Sequence, residues 1–188
     1  MRMTIASSPL EPRRGWLHGA IWRVRQFGHA VRSRPDPAVD SELRRLLASD
    51  AQWELLARLT PFDRAHHLRV YRLLADAGQD DPDLLRAALL HDSGKAAERG
   101  RVGVVHRAVY VLVGRVSPAL LDRLASHDDR FRHGIWLSLR HAEIGAELVR
   151  DAGGSERCCD LIRRHNDRSA SDDPLLAALI ADDHAAIR

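Results

Sequence analysis

The chain has 188 residues, of which 45% are hydrophobic and 29% charged, with a formal net charge of +3. That length supports one core without disulfide or metal staples, and the composition excludes bulk disorder. The near balance of 29 basic and 26 acidic residues does not suit a dedicated nucleic-acid binder, and no run reaches the roughly 18 apolar residues needed to cross a bilayer.

The only two cysteines, Cys158 and Cys159, are adjacent. They form neither a disulfide framework nor a cysteine zinc site, and read as small buried residues of a reduced protein. The start of the chain lacks an apolar segment of signal-peptide type, so a cytoplasmic location is expected.

In chain order, residues 13–34 come first. They hold six arginines and no acid, interleaved with Trp16, Leu17, Ile21, Trp22, Val24 and Phe27. A helix near 16–31 is expected, with its aromatic side on a core or on an anionic surface or nucleic acid. Arg34-Pro35-Asp36-Pro37 then reads as a break, dividing a basic extension (1–40) from the main domain (41–188). Further helices are expected near 40–58, 61–78, 82–93, 102–114, 118–126, 135–152, 155–165 and 174–187. Four of these starts follow a cap-proline pair: Thr60-Pro61, Asp81-Pro82, Ser117-Pro118 and Asp173-Pro174. The cap side chain satisfies free N–H groups, and proline loses nothing where its N–H would be unpaired. No hairpin signal appears, so the expected class is all-α.

The chemistry concentrates at helix ends. Ala88-Leu89-Leu90-His91-Asp92-Ser93-Gly94-Lys95 runs an apolar helix into a His-Asp pair, a glycine and the only lysine among the 29 basic residues. Imidazole and carboxylate are both ligands of first-row metals, and their burial after apolar residues needs a partner. His66-His67, His141, His165 and the adjacent Asp182-Asp183 repeat the pattern of polar residues after apolar ones.

These segments resemble the HD-domain superfamily of metal-dependent phosphohydrolases, specifically its HDIG-type branch. The matching stretches are His66-His67-Leu68-Arg69-Val70, Ala88 to Lys95, His141-Ala142-Glu143-Ile144-Gly145-Ala146, Arg164-His165-Asn166-Asp167 and Ala181-Asp182. The resemblance covers about residues 60–188 and implies an all-α fold with a metal centre. It implies that His66, His91, Asp92 and Asp182 hold one divalent ion (Mn, Fe, Co, Mg or Zn). It also implies that His141 and His165 take part in a second ion site, with Asp92 shared. Lys95 matches a lysine beside the substrate phosphate, so Lys95 and Asp92 are the expected catalytic pair. Arg164 and Arg168 are further candidates for phosphate contact, since a guanidinium fork suits phosphate.

Ser93 stands where the family has Ile, Asn166 where some two-metal members have histidine, and about 50 residues separate Asp92 from His141. The expected function is hydrolysis of a nucleotide or another phosphate ester or anhydride. The alternatives are a catalytically weak sensor or scaffold domain, and an RNA- or membrane-associated protein acting through residues 13–34.

Overall fold

Local capping chemistry sets most of the helix boundaries in the computed structural model, which describes residues 34–97, 100–167 and 172–187. The helix expected near 16–31 and Arg168 lie outside the described residues. The described helices are α1 (Pro37–Leu46), α2 (Asp50–Ala57), α3 (Pro61–Asp76), α4 (Pro82–Leu90), α5 (Val104–Val116), α6 (Pro118–Leu124), α7 (Arg132–Asp151), α8 (Glu156–Arg164) and α9 (Pro174–Ala186). A 3₁₀ turn (Ser93–Lys95) and a two-residue hairpin, β1 (Ala96–Ala97) with β2 (Gly100–Arg101), separate α4 from α5. The class is all-α.

Thr60, Asp81, Ser117 and Asp173 each accept a backbone N–H at the start of their helix, as their proline pairs predict. Asp36 does the same ahead of Pro37, so the break at Arg34–Pro37 is also a helix start. The single helix expected over 40–58 is two. Ser49 caps α2 by accepting from Gln52 N–H, and Gln52 Oε1 accepts from Ala48 N–H, which stabilises the corner between the two. The hairpin is an addition to the expected elements. Its paired residues are Ala96 with Arg101 and Ala97 with Gly100, too few to leave a periodic signature.

The core lies between α3, α4, α8 and α9, with α1 and α2 on one side and α7 across the 3₁₀ turn and α8. Leu89, Leu90, Leu161, Ile162, Leu176 and Leu179 are at most 1% exposed. Each contributes about 1.5–3 kcal/mol by leaving water, and together they hold the ends of α4 and α8 and the middle of α9 deep in the molecule. The polar residues beyond those leucines are therefore carried into a common interior point.

Candidate metal centre

α4 ends at Leu90, and the next two residues, His91 and Asp92, are buried. α3 brings His66 and His67, α7 brings His141, His165 caps the end of α8, and α9 brings Asp183. Asp92 stands at the centre and its two oxygens face opposite ways. Oδ1 lies 3.3 Å from His141 Nε2 and 3.7 Å from His165 Nε2. Oδ2 lies 3.6 Å from His91 Nε2 and 4.0 Å from His67 Nε2, and accepts a short hydrogen bond from Lys95 Nζ. Two groups able to hold an ion result, His66–His91–Asp92 and Asp92–His141–His165.

The backbone fixes the tautomers. Nδ1–H donates to a carbonyl in four of these rings: His67 to Leu89 at 2.8 Å, His91 to Ala88 at 3.0 Å, His141 to Ser138 at 2.9 Å and His165 to Ile162 at 2.6 Å. A neutral ring that donates through Nδ1 presents a bare lone pair at Nε2. Burial pushes His141 down to about 3 and His165 to about 4, so both are neutral at pH 7. Burial likewise holds His67 well below the usual range. Lone pairs thus face a carboxylate across 3.3–4.0 Å with no hydrogen between them, and His67 Nε2 and His91 Nε2 are buried without a hydrogen-bond partner. Acceptors opposed in this way call for a cation, and mixed imidazole and carboxylate donors fit a divalent ion of the first transition row. His91 shows the same field: burial opposes its protonation, but Asp92 and Asp183 outweigh burial and raise its pKa. Asp92 itself is kept ionised, since Lys95 and then His91 outweigh its burial.

At the end of the chain the structure corrects the expected register. Asp183, not Asp182, turns inward: it accepts from His66 Nε2 at 2.8 Å and lies 3.4 Å from His91 Nε2. The buried residues of α9 are Leu176, Leu179 and Ala186. Asp183 is seven residues after Leu176 and four after Leu179, so it shares their stripe. Asp182 lies one residue off it and is outside both ion-holding groups. The inward stripe, read at helical spacing, is the signal that separates the two aspartates.

Arg164 is ion-paired: its partly exposed guanidinium contacts Asp160, Asp167 and Asp173 at 3.3–3.5 Å. Lys95 points into the cleft. His67, set aside in favour of His66 on register, also lines it. Asn166 closes one edge, its amide donating to His141 Nε2 at 3.0 Å.

Two glycines allow the assembly. A Cβ on Gly94 would lie 2.1 Å from the His141 carbonyl oxygen and 2.7 Å from Gly145 N, and one on Gly145 would lie 3.1 Å from Gly94 N. The turn after Asp92 therefore rests directly on the backbone of α7, which holds His141 against Asp92. The sequence pattern presents Gly94 as a helix stop; its tighter requirement is this close approach.

Residues 64–185 match the HD domain family. The chain belongs to the HD domain family. Neither the curated proteins nor the solved structures give a match to it. Membership places it in a superfamily of metal-dependent phosphohydrolases, which agrees with the donor set of the cluster. Among the described residues of this HD domain, no helix is long and apolar enough to cross a membrane.

Proposed function

We propose that this HD domain is a metal-dependent phosphohydrolase acting on a nucleotide or another phosphorylated small molecule. The observation that carries the reading is Asp92, whose two oxygens each face a separate set of imidazole nitrogens. His66, His91, Asp92 and Asp183 would hold one divalent ion. Asp92, His141 and His165 would hold a second. An ion bound there supplies Lewis acidity toward a phosphoryl oxygen and makes hydroxide available near neutral pH.

The protein's own groups divide the remaining work. His141 and His165 are neutral at pH 7, with Nδ1–H bound to the backbone, and would serve through Nε2 as lone-pair donors, not as acids. The cluster is nearly closed: Asp92, His91 and His165 are buried, whereas Lys95 and Asp183 are partly open and Asn166 is exposed. A phosphoryl group entering by that rim meets the Lys95 ammonium, which stabilises negative charge developing on its oxygens.

Asn166 favours a second reading, a domain that holds one ion and a phosphorylated ligand with little turnover. Its amide occupies the lone pair of His141 that a second ion would need. Metal analysis of protein purified without chelator, joined to a phosphate-release screen over nucleotides, tests both. Metal with release supports the hydrolase, metal with ligand binding and no release supports the second reading, and protein that takes up no divalent ion overturns both.

A further inference from the structure

We infer that residues 16–27 of the same chain cover the outer face of α5. This helix is apolar yet unburied. Nine of its 13 residues are apolar, but none of its described side chains is buried, whereas α4, with nine residues, buries five. Much of its inner side makes polar contacts. Arg107 Nη2 donates to both oxygens of buried Asp63 at 2.8 and 2.7 Å, and His106 lies against the Phe131 ring while accepting from Gly103 N–H at 2.9 Å. Val105, Leu112 and Val116 turn outward. They are 57%, 65% and 87% exposed, and their spacing of seven and then four residues puts them on one helix face. Large apolar side chains aligned in water mark a contact surface.

The chain itself supplies the occupant. Leu17, Ile21 and Val24 recur at spacings of four and three, a second apolar stripe, with Trp16, Trp22 and Phe27 around it. Where the described chain begins decides which surface this stripe reaches. Asp40, in the first turn of α1, accepts from Arg64 Nε at 2.7 Å and Nη2 at 3.2 Å, and the residue before Arg64 is Asp63, the acceptor of Arg107. Two neighbouring residues of α3 therefore hold the start of α1 and the first half of α5, so the chain enters the fold beside α5. The seven steps from Phe27 to Arg34 reach about 23 Å when extended. A helix is roughly 10–12 Å wide, so residues 16–27 can pass around α5 to its outer face. The one carboxylate of α6, Asp122, has its side chain 70% exposed and only approaches Arg140 at 3.7 Å; it offers a partner to a segment that carries six arginines and no acid. A tethered segment also acts at an effective concentration on the order of mM, above that of a second copy in solution.

The test is hydrogen exchange of the full chain, read by mass spectrometry. Amides of residues 16–27 exchange about tenfold or more slowly than those of an open chain, at low and high protein concentration alike. Leu112→Glu and Val116→Glu, at positions already exposed, keep the wild-type circular dichroism. Each speeds exchange in 16–27 by about tenfold or more, the scale of withholding one large apolar side chain, and leaves α4 unchanged. Ile21→Glu has the same effect from the other side of the contact. Unprotected amides in 16–27 overturn the proposal, as does protection that neither substitution on α5 weakens. Protection lost on dilution, with a dimer by light scattering that Leu112→Glu dissociates, assigns the face to a second copy and overturns it. Protection that arises only with vesicles containing phosphatidylglycerol assigns residues 16–27 to lipid, with the same consequence.

Discussion

Asp182 and Asp183 have the same chemistry, and helical rotation alone decides which meets the histidines. Asp183→Ala leaves His66 and His91 without their second carboxylate and lowers affinity for Mn²⁺ or Zn²⁺ by about a hundredfold, at least as much as removing a group that merely orients a ligand. Asp182→Ala leaves it unchanged. Equilibrium dialysis of the two variants decides the matter, and the reverse ranking would return the ligand role to Asp182. Lys95 calls for a different readout. Lys95→Ala lowers turnover by about ten- to a thousandfold, the scale of one electrostatic contact to a transition state, while metal content stays constant. Lys95→Arg recovers only part, because a planar fork cannot replace a compact ammonium. Wild-type turnover in Lys95→Ala would remove its role and leave the metal centre standing. Asn166 is exposed, so Asn166→Ala preserves the fold and frees the His141 lone pair. Ion stoichiometry then rises toward two per chain; unchanged stoichiometry would show that the amide does not limit the second ion.

Between elements, the centre depends on the contact of two backbones. Gly94→Ala puts a methyl group 2.1 Å from a carbonyl oxygen of α7, and a backbone atom cannot rotate away. The turn must lift, at about 1–3 kcal/mol as for other overpacked sites, and Asp92 moves from His141. Lowered melting temperature together with weakened metal binding is the expected outcome; a variant with both unchanged would mean that the contact does not set the site. The close approach lies outside what one sequence shows, because a glycine that ends a helix and a glycine that touches another helix look alike. What the sequence does carry is local. The cap-proline pairs predicted four helix starts, since a cap acts on the next three residues. The histidine and aspartate segments were legible because apolar runs lead into them. The corner at Ser49 was not, because apolar residues continue on both sides of it. The role of Asp183 escaped because a family dipeptide outweighed helical register.

For the molecule as a whole, ion pairs tie outlying helices to those that carry the centre. Arg64 of α3 donates to both oxygens of Asp40 in α1 at 2.7 and 3.2 Å, Arg107 of α5 holds Asp63 of α3, and Arg157 of α8 donates to both oxygens of Asp173 at 2.9 and 2.7 Å. The last pair fixes the start of α9, where Asp173 also accepts from Leu176 N–H. It has a signature in acid. The Arg157 guanidinium, with that backbone donor, brings the Asp173 carboxyl from 3.8 down to about 2. The folded state therefore holds Asp173 ionised at a pH where the unfolded chain has already taken up a proton. The stabilisation is complete above about pH 4 and is lost as pH falls from there toward 2. Its size is at most about 1 kcal/mol, because Arg157 is partly in water. Asp173→Asn keeps a capping oxygen and removes only the charge. Urea unfolding from pH 5 to pH 2 then shows the wild type more stable than Asp173→Asn at the upper end, and the difference closes at the lower end. Arg157→Gln shows the same closing gap. A difference that stays constant across that range would mean that the pair contributes shape to the start of α9 and no charge-dependent stability.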